Sequence, residues 1–134
     1  MTIRVGTVHD RYEFLDVVGE GGMSVVYRAR HTVLGSQHAV KVLRDPSRSL
    51  QRRLIQEGRL QSNLKHPNIV NVTDVLMIED TPALVMEYVD GPSLEQLLRS
   101  CSLTVAQIDA IGLEILQGVA WAHKVGLVHR DLKP

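Results

Sequence analysis

One cysteine, Cys101, stands among the 134 residues, so no disulfide can form within the chain. A lone cysteine reads as a small apolar filler rather than a nucleophile, and it fits a reducing compartment. Net charge is absent as well. Fifteen Lys and Arg balance fifteen Asp and Glu, giving +0, and nothing in that balance pulls the chain toward nucleic acid or an anionic membrane. Long apolar runs are missing too. The first ten residues hold no stretch that could serve as a signal peptide. The most apolar region, Ile108 to Val128, is broken by Asp109, Glu114, His123 and Lys124, which makes it a poor membrane span. No internal repeat or low-complexity segment occurs. These absences predict a soluble, cytoplasmic protein that binds no nucleic acid and carries no membrane segment. What is present is a 44% hydrophobic composition, enough for a real core in one domain or part of a larger one.

The chain divides by pattern. Tyr12 to Val18 is rich in β-formers and is interrupted by Gly19-Glu20-Gly21-Gly22; Val25-Val26-Tyr27 resumes the strand signal. Gly35-Ser36 reads as a turn before a third strand, Ala39 to Leu43. Leu50, Leu54 and Gly58, then Leu60 and Leu64, recur at helical spacing, predicting a helix from about Leu50 to Leu64 closed by His66-Pro67-Asn68. Ile69 to Val75 and Leu76 to Glu79 resemble strands, with a turn near Asp80-Thr81-Pro82, and Ala83 to Val89 follows as a further strand. Leu94, Leu97 and Leu98 mark a short helix. Thr104 is placed to cap a longer one carrying Ile108, Ile111, Ile115, Leu116, Val119 and Ala122. Strands around one helix, then helices only, is an α+β order. The apolar residues of the long helix spread over more than one face, so that helix, left uncovered, is expected to promote association.

Certain stretches carry chemistry. A glycine-rich turn between strands lets backbone N–H groups approach a polyphosphate, or simply makes a tight hairpin. It is neither a P-loop nor a dinucleotide fingerprint, because strand rather than helix follows. In Ala39-Val40-Lys41-Val42-Leu43, alternation places Ala39, Lys41 and Leu43 on one face. A lysine there either reaches solvent or faces a pocket and needs an anion. Glu57 shares the Leu50-Leu54-Gly58 side of the helix and is a candidate partner or a solvated helix residue. Met86-Glu87-Tyr88-Val89 ends a strand at Asp90-Gly91. In the last loop, Asp131 and Lys133 could accept a proton and steady a phosphoryl oxygen.

The order is what decides. A glycine-rich hairpin, an Ala-Val-Lys strand, a glutamate sixteen residues after that lysine, His-Pro-Asn, a hinge-like strand end and His129-Arg130-Asp131-Leu132-Lys133-Pro134 follow one another. This succession resembles the eukaryotic-like, Hanks-type serine/threonine protein kinase family over residues 12–134. The Gly-Gly-Met-Ser loop is most similar to bacterial members, and Leu132-Lys133-Pro134 to the serine/threonine class.

The resemblance implies a kinase-like amino-terminal lobe, a five-stranded antiparallel sheet plus one helix, over residues 12–89. Residues 1–11 would be an extension, and residues 90–134 the hinge exit and first helices of a helical lobe. It implies ATP and Mg²⁺ as cofactors and a protein with Ser or Thr as substrate. Gly19, Gly21 and Ser24 would arch over the phosphates, with Val18 and Gly22 in the same nucleotide-binding set. Val26 and Ala39 would cover the adenine, Met86 would be the gatekeeper, and the backbones of Glu87 and Val89 would bond the adenine edge. Lys41 would hold the α- and β-phosphates and pair with Glu57. Asp131 would be the catalytic base and Lys133 would stabilise the transferring phosphate. Arg130 is similar to its counterpart in kinases whose activation loop is phosphorylated.

The sequence departs from the family pattern in three ways. Ser24 replaces a glycine, and Gln61 stands where an apolar residue is usual. The loop asparagine and the Asp-Phe-Gly that would hold Mg²⁺ do not occur in the 134 residues, which assign no metal ligand. These residues alone are therefore expected to have negligible kinase activity. Two readings follow: the amino-terminal half of a working serine/threonine kinase, or a non-catalytic nucleotide-binding or regulatory module that engages a partner kinase.

Overall fold

The computed structural model describes residues 2–134. They form two compact units, residues 2–63 with Asn71–Val89, and Leu64–Val70 with Asp90–Pro134. Each has its own logic.

The first unit is an antiparallel sheet with one helix. Its strands are β1 (Val8–His9), β2 (Tyr12–Glu20), β3 (Ser24–His31), β4 (Gln37–Leu43), β5 (Val72–Ile78) and β6 (Thr81–Glu87), in the order β1-β2-β3-β4-β6-β5. Helix α1 (Arg48–Ser62) lies between β4 and β5 in the chain. The expected five strands gain a sixth because Val8 and His9 pair with Glu13 and Tyr12. The residues ahead of β1 also pack onto the sheet: Ile3 is buried, and its N–H donates to the Tyr27 hydroxyl at 3.2 Å.

Two stretches differ from the pattern reading. Ile69 to Glu79 yields one strand, Val72–Ile78, because no turn residue separates Val75 from Leu76. The following turn sits at Glu79-Asp80, both with positive φ (47° and 64°), while Thr81 and Pro82 already pair with Ile78 and Met77. Two central left-handed residues give a turn whose twist matches its strands. Pro82 is tolerated there because the β4 ladder on its other side stops at the Val42–Ala83 pair, so no N–H is needed. Helix α1 begins and ends two residues earlier than the leucine spacing implies, with Asn63 at its carboxyl cap.

The sheet buries both faces. Phe14, Tyr27, Val40, Val42, Ile78 and Val85 fill one side together with Ile3. On the other side Leu43, Val72 and Leu84 receive Leu54 of α1, with Leu50 and Met86 packed against them. Burying each such side chain is worth about 1.5–3 kcal/mol. The β4 alternation therefore holds: Val40 and Val42 face one cluster, Leu43 the other.

The second unit contains α2 (Leu94–Ser100) and α3 (Val105–Lys124). Both start with a capping box. Ser93 and Gln96 exchange hydrogen bonds at 3.2 and 2.8 Å, and Thr104 and Gln107 do so at 3.2 and 2.9 Å. The His66-Pro67-Asn68 stretch docks on α3. Asn68 Nδ2 donates to the Glu114 carbonyl at 2.9 Å, and a Cβ on the buried Gly118 would stand 3.2 Å from the Asn68 carbonyl oxygen. Ile108, Leu113, Leu116 and Val125 on α3 and beyond it are exposed. Among the described residues no helix is long and apolar enough to cross a membrane.

Candidate functional site

Twelve of the fourteen residues singled out above fall in the sheet unit, and strand register brings most of them together. Gly19 pairs with Val26, Val26 with Lys41, and Lys41 with Leu84, so these four form one row across the sheet. Cross-strand partners share a face. That face is the one α1 covers, since Leu84 belongs to the cluster holding Leu54. Ala39 pairs with Met86 two positions along β4, on the same face.

From α1, Glu57 meets Lys41: Nζ lies 2.9 Å from Oε1. The pair is half-open, with side-chain exposures of 27% for Lys41 and 46% for Glu57. Such an ion pair is worth at most about 1 kcal/mol to stability. It is better suited to presenting an ammonium to an anion than to holding the fold.

The glycine turn is closed by the Gly21 N–H donating to the Ser24 carbonyl at 2.9 Å, leaving Gly22-Met23 at the tip. A Cβ at Gly19 or Gly21 would meet nothing nearer than 3.8 and 3.7 Å, and at Gly22 nothing within 4 Å. None of the three has a positive φ. The turn could accommodate side chains at all three positions, so their smallness is not a requirement of this backbone.

Three residues past Leu84 on β6, the Glu87 N–H donates to the Asn71 carbonyl at 2.9 Å, and Glu87 Oε2 accepts from the Asn71 N–H at 3.4 Å. Asn71 thus clamps Glu87, a role no local pattern announced. Val18 and Val89 are exposed at 46% and 62%. Opposite Glu87 on β4 stands His38, whose Nε2 is 2.8 Å from Ser36 Oγ and whose Nδ1 is buried without a partner. Burial pushes the His38 pKa below the usual imidazole value; the charge of His31 adds to this and Asp74 opposes it.

The remaining two candidates, Asp131 and Lys133, lie in the helical unit. Both are open to solvent, with Lys133 Nζ 3.5 Å from Asp131 Oδ2. The Asp131 N–H donates to His129 Nδ1 at 3.1 Å. Arg130 between them has φ of 69°, a left-handed conformation that a non-glycine residue adopts at a cost.

A cavity of about 880 Å³ lies elsewhere on the sheet unit, lined by Arg48, Arg52, Ile55 and Arg59 of α1 with Met77 and Pro82. Helical periodicity puts those α1 residues opposite Glu57. Among the described residues no group of three or more His, Cys, Asp or Glu is placed to hold a metal ion.

The family model described as protein kinase domain matches residues 12–134. A probable serine/threonine-protein kinase of Clostridium perfringens is 40% identical over 129 residues, covering 93% of this chain and 19% of that protein. One of Streptomyces coelicolor is 42% identical over 134 residues, covering 92% and 20%. The chain thus spans about a fifth of the length of these curated relatives. Among solved structures, a cysteine-to-alanine mutant of the PknI kinase domain of Mycobacterium tuberculosis superposes with a TM-score of 0.80 at 28% identity, over 100% of this chain and 57% of that one.

Proposed function

The chain belongs to the protein kinase family, on the serine/threonine branch that its bacterial relatives represent, and from that premise we propose that residues 12–89 form a lobe that binds ATP for phosphoryl transfer to protein hydroxyls. The observation that carries this is the 2.9 Å Lys41–Glu57 pair in the same sheet row as Gly19 and Val26. Phosphoryl transfer depends on positioning and on neutralising phosphate charge. A lysine fixed by a carboxylate can hold the α- and β-phosphates without first searching for its rotamer. The glycines at 19, 21 and 22, which the turn itself does not require, leave room for those phosphates against the backbone.

In this reading Val18, Val26 and Ala39 contact the adenine, Met86 limits the depth of its pocket, and the backbones of Glu87 and Val89 bond its edge. Ser24 caps the flap. Asp131 accepts the proton of the substrate hydroxyl and Lys133 steadies the transferring phosphate, the substrate being a serine or threonine of a protein. A cytoplasmic setting fits a reaction that consumes ATP and an exposed lone Cys101. The residues present suit ATP. They do not form a metal cage, so Mg²⁺ is given no ligand here and no step is assigned to it.

The second reading, a nucleotide-binding or regulatory module without turnover, is supported by the half-open Lys41–Glu57 pair, whose ammonium would meet phosphate charge without needing a metal ligand. ATP-dependent thermal stabilisation tests the binding common to both readings. A rise in melting temperature with ATP that Lys41→Met abolishes supports the lobe assignment; no rise at millimolar ATP overturns it.

A further inference from the structure

Arg44 stands three residues past Lys41, immediately beyond the end of β4, and it holds the glycine turn at three points. Its main-chain N–H donates to the Met23 carbonyl at 2.9 Å. Its guanidinium forks: Nε donates to the Gly21 carbonyl at 3.1 Å, and Nη2 meets Glu20 Oε2 at 2.8 Å. The contacts embrace the turn from its first residue to its tip. They connect it directly to the strand that carries Lys41.

We propose that Arg44 is the positioning residue of the flap, setting the orientation of its peptide groups and neutralising Glu20 so that the turn can accept a polyanion. This rests on the reading that the flap covers phosphates. The orientation argument is geometric. In a trans peptide the C=O of one residue is antiparallel to the N–H of the next. With the Gly21 and Met23 carbonyls drawn to Arg44, the Gly22 and Ser24 N–H groups point the opposite way. Those are the donors a phosphate oxygen needs.

The charge argument is independent of that. Glu20 is an exposed carboxylate at the start of a turn assigned to a triphosphate, and bare it would repel the ligand. Arg44 removes that repulsion while using a second nitrogen on the backbone. A lysine could do one of these but not both, because it lacks the planar fork. Both side chains of the pair are open to water, so it adds little to the stability of the fold. Its effect falls on the order of the flap and on anion binding.

Amide hydrogen exchange at residues 21–24, together with titration by ATP and by adenosine, tests this on the 134-residue chain. Arg44→Ala is expected to speed exchange in the turn roughly three- to tenfold and to weaken ATP by a similar factor, with adenosine unaffected. Arg44→Lys should recover ATP affinity in part and exchange hardly at all. Adding Glu20→Gln to Arg44→Ala should restore ATP affinity by removing the bare charge, while exchange stays fast. Unchanged exchange in Arg44→Ala overturns the proposal whether or not ATP binds. Faster exchange in a chain whose unsubstituted form binds no ATP overturns the nucleotide reading and the anion half of this proposal, leaving the latch. Equal losses for ATP and adenosine in Arg44→Ala would reduce Arg44 to a structural role.

Discussion

Gly58 on α1 and Leu84 on β6 approach so closely that a methyl group on Gly58 would lie 2.6 Å from Leu84 Cδ2. Leu84 is fully buried and is also the cross-strand partner of Lys41. The contact therefore sets the height at which α1 rides over the sheet, one residue from the carboxylate that meets Lys41. Sequence patterning places Gly58 on the apolar side of the helix; only packing shows what a side chain there would meet.

Gly58→Ala pits two effects against each other. Alanine gains about 1 kcal/mol of helix propensity. Forcing a methyl group into a closed contact costs about 1–3 kcal/mol. Leu84 is fully buried, so we expect a net loss near 1 kcal/mol, about 4 °C in melting temperature. Thermal denaturation of the variant reads this, and a raised melting temperature would show that Leu84 yields.

Ile3 ties the amino-terminal residues to the sheet core. Ile3→Ala removes a buried side chain beside Tyr27 and should cost roughly 2 kcal/mol, the low end for such truncations because the segment can settle at the sheet margin. Urea denaturation would show a lower midpoint with unchanged slope. An unchanged midpoint would mean that these residues contribute nothing to the sheet.

His38 makes stability depend on pH. Its folded pKa is depressed, burial being the main cause and His31 the next. Protonation places an N–H on Nδ1, which is buried and has nothing to donate to. The unfolded chain then takes up protons first, so stability declines as pH falls below about 6.5 and levels off below the folded value. Denaturation midpoints at pH 7.5 and 5.5 should differ by less in His38→Gln than in the parent chain. An equal difference would assign the pH dependence to other groups.

Kinase activity of the 134 residues alone is expected to be negligible, since the loop asparagine and the Asp-Phe-Gly that would hold Mg²⁺ do not occur among them. Incubation with labelled ATP, Mg²⁺ and a general protein substrate checks this. Robust Mg²⁺-dependent phosphorylation, lost in Asp131→Asn, would contradict it.

Much of this was legible in the residues. The β-rich runs located the strands on either side of the glycine turn. Alternation put Lys41 on one face with Ala39 and Leu43, and Thr104 was legible as the cap of the long helix. Other features depend on contacts distant in sequence. β1 is only Val8 and His9, too short to show a period, and exists because Glu13 and Tyr12 lie opposite. The β5–β6 turn falls on Glu79-Asp80 because strand pairing pulls Thr81 and Pro82 into the sheet. Arg44, Asn71 and Leu84 act across 16 to 26 positions of the chain, so no window of sequence reveals them.

The most direct test of the Lys41–Glu57 site compares ATP with adenosine in calorimetric titrations of the parent chain and Lys41→Met. The account predicts that the triphosphate makes ATP bind more tightly than adenosine in the parent, and that Lys41→Met erases this advantage while adenosine affinity stays the same. Equal loss of both ligands, or an ATP advantage that survives Lys41→Met, would contradict it.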